Sequence, residues 1–96
     1  MNVKSEFRRP VLVRHARYRW DELRRQHQLL YPEGLLVLNE SGAAIVRLCD
    51  GRALDELVAD ISRQFTGTLA PDTIARDVNE FLEHLARKGL LRDADS

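Results

Sequence analysis

Three histidines, one cysteine and fifteen carboxylates are the groups in this 96-residue chain whose chemistry reaches beyond packing. His15, His27 and His84 stand far apart in sequence, with no two-histidine helical spacing and no cysteine pair beside them. A metal needs several such donors converging, so no metal site is expected. Ser41 and Ser62 lack the context of a nucleophile elbow, and glycine-rich phosphate loops are missing. His84 falls on the polar side of a helical pattern, where a solvated residue is the ordinary outcome. Most carboxylates fall at helix starts or on exposed faces, where the helix dipole and solubility account for them. The expectation is a protein that is not an enzyme and carries no cofactor.

What remains is binding, and the elements that would position a binding surface centre on Leu29 to Gly51, LLYPEGLLVLNESGAAIVRLCDG. Tyr31-Pro32-Glu33-Gly34 has turn chemistry: proline presets φ, and glycine suits the left-handed position of a three-residue hairpin loop. The arms are then Gln26 to Tyr31 and Leu35 to Leu38. The second arm is apolar at every position, which suggests burial on both faces. Periodicity leaves two readings open: an inner strand of a meander, or an edge strand that something else covers. An unpaired edge of this kind is a template for strand addition by another peptide.

Asn39 offers an N-cap and Glu40 suits the positive end of the helix dipole. Ala43, Ala44, Ile45, Leu48 and Cys49 give the helix an apolar face, and Asp50-Gly51 is the expected stop. Leu54, Leu57, Val58 and Ile61, followed by Phe65, predict a second helix that ends before Gly67. Pro71 and Asp72 open a third, with Ile74, Val78, Phe81, Leu82 and Leu85 as its stripe and Gly89 as its end. Leu90 is expected to fold back on Leu85. Beside that stripe, Ala75, Asn79, Leu82 and Ala86 share a row whose two alanines leave room for another backbone. A peptide strand would fit between this row and Leu35 to Leu38. Upstream, residues 1–9 read as a loose arm, with strand-like runs at Val11 to Val13 and Tyr18 to Leu23. Which of those two runs pairs with the hairpin stays open.

The residues LLYPEG, the following LN, the LCDG at the helix end, FLEHLARKGLL and the upstream WDE resemble the PqqD family. These are small peptide chaperones of pyrroloquinoline quinone biosynthesis, and the resemblance runs from about Arg9 to Leu91 through the order and spacing of its pieces. It implies an α+β fold like a winged helix-turn-helix, three antiparallel strands followed by three helices, in a single domain spanning 1–96. It also implies binding of the leader of the precursor peptide PqqA by strand addition. The precursor is then presented to the radical S-adenosylmethionine enzyme PqqE, which cross-links a glutamate and a tyrosine within it. Carried onto this chain, the peptide-binding residues are Leu35, Leu36, Val37, Leu38 and Asn39, with Ala75, Asn79 and Leu82 opposite. One departure is Ala53, where similar sequences often carry a threonine that would cap the second helix.

Charge and composition set the alternatives. Ninety-six residues, 44% hydrophobic and 31% charged, fit one soluble globular domain with a modest core. A two-domain enzyme is excluded. Net charge is zero, but residues 1–28 carry eight Lys+Arg against three Asp+Glu, and residues 29–96 carry seven against twelve. A basic end can meet an acidic partner or nucleic acid. The alternative function is therefore a winged-helix DNA-binding module. Against it, the third helix sets Asp72, Asp77, Glu80 and Glu83 against Arg76, Arg87 and Lys88, a balance that repels phosphates. No nucleic-acid partner is expected. A homodimer formed by edge pairing or by exchange of the N-terminal segment is a weaker possibility. One cysteine forms no internal disulfide, and no apolar segment is long enough to span a bilayer, so a cytoplasmic protein with no membrane partner is expected.

Overall fold

The computed structural model describes residues 7–65, 67 and 70–95. Along the chain run β1 (Pro10–Leu12), β2 (Arg17–Asp21), β3 (Gln26–Tyr31), β4 (Gly34–Leu38), α1 (Glu40–Leu48), α2 (Leu54–Gln64), α3 (Pro71–Arg87) and β5 (Leu91–Asp93). The fold is α+β, with antiparallel strands and three helices. It has two sheets rather than one run of three strands: β2-β3-β4 forms a meander, and β1 pairs with β5 after the last helix. That settles the pairing of the early runs. Arg17–Asp21 joins the hairpin, whereas Val11 lies opposite Arg92 in the small sheet.

Local chemistry explains the turns. At the β2–β3 turn the Asp21 carboxylate accepts from the amides of Leu23 and Arg24 at 3.0 and 3.2 Å, and Arg25 takes a φ of 53°. The β3–β4 turn is tighter than expected: Tyr31 pairs with Gly34, leaving a two-residue loop of Pro32 and Glu33. Gly34, with φ 159°, therefore belongs to the strand and not to a left-handed loop position.

Capping chemistry accounts for several of the helix ends. The Asn39 side chain accepts from Gly42 N–H at 2.7 Å and opens α1. That helix ends at Leu48 with Cys49 as its cap, so Cys49 lies just past the helix instead of within it. Gly51, with φ 96°, then donates its N–H to the Pro10 carbonyl at 3.0 Å. At α2 the missing threonine is half replaced: Glu56 Oε1 accepts from Ala53 N–H at 3.2 Å, and alanine has no oxygen to return a bond. After α3, Gly89 N–H bonds the Ala86 carbonyl at 2.9 Å and Leu90 N–H bonds that of Leu85 at 3.0 Å. This is a Schellman closure, with Leu85 and Leu90 both buried as the fold-back expected of them.

The core gathers Leu29 and Leu38 from the sheet, Ile45 and Val46 from α1, Leu57 and Ile61 from α2, and Ile74, Val78, Leu82 and Leu85 from α3. Of the expected loose arm, residues 1–6 lie outside the described residues. Phe7 packs on the core, and the amides of Arg8 and Arg9 donate to the Asp93 carboxylate at 3.0 and 3.1 Å. Three separated segments, 7–12, 50–52 and 91–94, are thereby tied together at one end of the molecule.

Candidate functional site

The strand order β2-β3-β4 leaves β4 at the edge of its sheet. This overturns the burial read from its apolar run: Leu35 and Val37 are 48% and 55% exposed, while Leu38 is buried and Leu36 half-buried. The inner-strand reading falls with it. In a hairpin closed by the Tyr31–Gly34 pair, alternate residue pairs exchange both ladder bonds, so Leu36 and Leu38 bond to β3. The N–H and C=O groups of Leu35 and Val37 consequently point outward, to the open edge.

Beside that edge lies a groove of about 550 Å³. Leu36, Val37, Leu38 and Asn39 form one wall, Ile45 belongs to α1, and Ile61 and Phe65 come from α2. The α3 wall is Ile74, Asp77, Val78, Phe81 and His84, residues three or four apart on one helical face. Gly42 sits where α1 meets this wall: a Cβ there would stand 3.0 Å from Asn39 Oδ1 and 3.4 Å from Phe81 Cζ. A glycine inside a helix costs about 1 kcal/mol against alanine, and close approach of the cap and the Phe81 ring is what it permits here.

The structure brings together four of the five strand residues expected at a peptide site, Leu36 to Asn39, with Leu35 on the same edge. On α3 it selects a neighbouring face. Ala75, Asn79 and Leu82 do not line the groove: Leu82 is fully buried in the core, and Asn79 donates its side-chain amide to the Ala75 carbonyl at 3.0 Å. The α3 side of the groove contains Phe81, already placed in the apolar stripe, together with Asp77 and His84. These two polar residues were missed because a helical pattern shows which residues share a face, not which face another element leaves open. His84 is exposed, as expected of a solvated residue, and also lines the groove.

Outside the groove, His27 links three elements. Tyr18 Oη and His27 Nδ1 are 2.7 Å apart, His27 Nε2 and Glu40 Oε2 are 3.2 Å apart, and the Trp20 ring meets the imidazole edge-on at 4.9 Å. This joins β2 and β3 to the start of α1 behind Leu38. The Cys49 thiol is pushed up to about 12 by burial and by Asp50 beside it, the reverse of a reactive nucleophile. Arg52 holds the Asp50 carboxyl below the usual range, at 2.8 Å, and also reaches Asp60 at 2.6 Å. These charges pin the α1–α2 connection. Among the described residues no group of three or more His, Cys, Asp and Glu side chains is placed to hold a metal, and no helix is long and apolar enough to cross a membrane.

Comparison with known proteins gives a consistent picture. The family model for coenzyme PQQ synthesis protein D (PqqD) matches residues 26–91, from β3 to the start of β5. A Rhodopseudomonas palustris (strain TIE-1) protein named PqqA binding protein is 41% identical over 91 residues, covering 94% of this chain and 87% of its own. One of the same name from Azotobacter vinelandii is 43% identical over 75 residues, covering 77% of this chain and 78% of its own. Among solved structures, the PqqD truncation of Methylobacterium extorquens PqqCD superposes with a TM-score of 0.72 at 30% identity over 88% of both chains. That protein is described as a functional, stand-alone recognition element for ribosomally synthesised and post-translationally modified peptides. An open edge strand beside an apolar groove thus occurs in a chain whose sequence and fold both place it in the PqqD family, to which it belongs.

Proposed function

We propose that this protein is a cytoplasmic peptide chaperone of pyrroloquinoline quinone biosynthesis: it binds the leader of PqqA by strand addition to β4 and presents the precursor to PqqE. The observation that carries the reading is the open β4 edge lying directly against an apolar groove. Main-chain bonds from Leu35 and Val37 would hold the leader in register, and alternate leader side chains would enter the groove between Leu36, Leu38 and the Ile74–Phe81 face of α3. Asn39 closes the end of the strand. The fold is read as a winged helix-turn-helix variant turned to peptide binding, since Asp72, Asp77 and Glu80 lie exposed on α3 and disfavour a DNA duplex.

The test is a titration of isotope-labelled protein with the PqqA leader, following amide resonances. Shifts are expected at Leu35 to Asn39 and along Ile74 to His84. A Val37→Pro variant removes one outward N–H at an edge position where proline is tolerated. It is expected to fold and to lose leader binding. Unchanged resonances at saturating leader, or full binding by Val37→Pro, would sink the proposal.

A further inference from the structure

The β2-β3-β4 sheet has a second face, turned away from the helices. Leu29, Leu36 and Leu38 pack toward the helices, so by strand alternation Leu30, Leu35 and Val37 point the other way. The register sets them in two rows across the sheet: Arg17, Leu30, Leu35, and Arg19, Gln28, Val37. Leu35 and Val37 are each about half exposed, and Arg17 and Arg19 are both exposed. Arg19 lies 3.8 Å from the Asp21 carboxylate, whereas Arg17 has no carboxylate partner among the described residues. Between them Gln28 is 1% exposed, its Nε2 donating to Asp21 Oδ2 at 3.0 Å and to Gln26 Oε1 at 2.9 Å. The face is thus an apolar pair of half-rows bordered by cations and braced by a buried polar cluster.

We infer that this outer face docks an acidic protein surface, and, resting on the leader-binding reading above, that the docked protein is the enzyme receiving the precursor. Two features select that occupant. Arginines at the rim of an apolar patch complement carboxylates around an apolar spot, the usual anatomy of a protein interface. Phosphates would satisfy the arginines and leave Leu30, Leu35 and Val37 unmatched. A strand added to β4 also sends every second side chain onto this same face, beside Leu35 and Val37. A protein docked there meets carrier and peptide side by side.

The experiment compares the wild type with Arg17→Glu and with Arg17→Glu/Arg19→Gln, measuring binding to PqqE and, separately, to the PqqA leader alone. Amide spectra verify that each variant is folded. The expected result is a loss of PqqE affinity of about tenfold or more, steeper at low salt, with leader affinity unchanged. Three results would overturn the inference: PqqE affinity unchanged in the double variant, leader affinity falling in parallel, or arginine-dependent retardation of duplex DNA by the wild type. Failure of the leader reading is recognised separately, because the wild type then shows no binding to the leader alone.

Discussion

At the scale of single residues, Gly42 carries an unusual share of the site's geometry. Its missing Cβ lets Asn39 cap α1 at 2.7 Å and lets the Phe81 ring approach the same turn. Replacing it with alanine gains helix propensity of about 1 kcal/mol, but crowds both the cap oxygen and the ring. A lost cap costs about 1 kcal/mol of its own. Gly42→Ala is therefore expected to give no net rise in thermal midpoint and to weaken leader binding, because Phe81 must shift at the groove. A calorimetric midpoint several degrees higher with unchanged leader affinity would show that the close approach is unimportant. Asn39 and Glu40 were readable as cap and first turn, because capping is local chemistry. Asp77 and His84 were not, because their place at the groove depends on what packs on either side of them.

Among the elements, the small β1–β5 sheet does the work of closing the chain on itself. Asp93 accepts from the amides of Arg8, Asp95 and Arg9, and these bonds, Arg8's first, hold its carboxyl below its ordinary value of 3.8. A carboxyl that titrates lower in the folded protein than in the unfolded chain contributes stability above the unfolded value. That contribution is lost as pH falls through the folded one. Asp93→Asn should therefore lower the urea midpoint at neutral pH, and the gap from wild type should narrow as pH falls below 3.8, the ordinary value, and through the lower folded one. A gap constant through the acid range would mean that Asp93 acts through packing instead of charge. β5 was not anticipated: Leu91-Arg92-Asp93 is too short to show alternation, and its partner lies at the other end of the chain. The hairpin and all three helices were anticipated, because each is written in turn residues, caps and periodic apolar positions. The row of Ala75 and Asn79 is not the α3 face that lines the groove; a wide apolar stripe does not say which of its flanks the core takes. The apolar run of β4 was read as burial for a related reason: an edge awaiting a partner and a strand already covered have the same composition.

On the scale of the whole molecule, three surfaces divide the labour. The helices and one sheet face make the core, the β4 edge with the α3 wall makes the groove, and the outer sheet face carries exposed arginines. The charge imbalance between residues 1–28 and the remainder maps onto this division, with Arg17 and Arg19 on the sheet and Asp72, Asp77 and Glu80 on α3. Under the proposed strand addition, a second copy of the chain would pair with the same open edge, so leader binding and edge self-pairing would compete for Leu35 and Val37. The measurement that bears most directly on strand addition is amide hydrogen exchange at those two residues. Their N–H groups face away from β3 and should exchange fast in the free protein. Saturating PqqA leader should slow both selectively, while Leu36 and Leu38, already bonded within the hairpin, change little. Leader bound at saturation with Leu35 and Val37 still exchanging at their free rates would contradict the account.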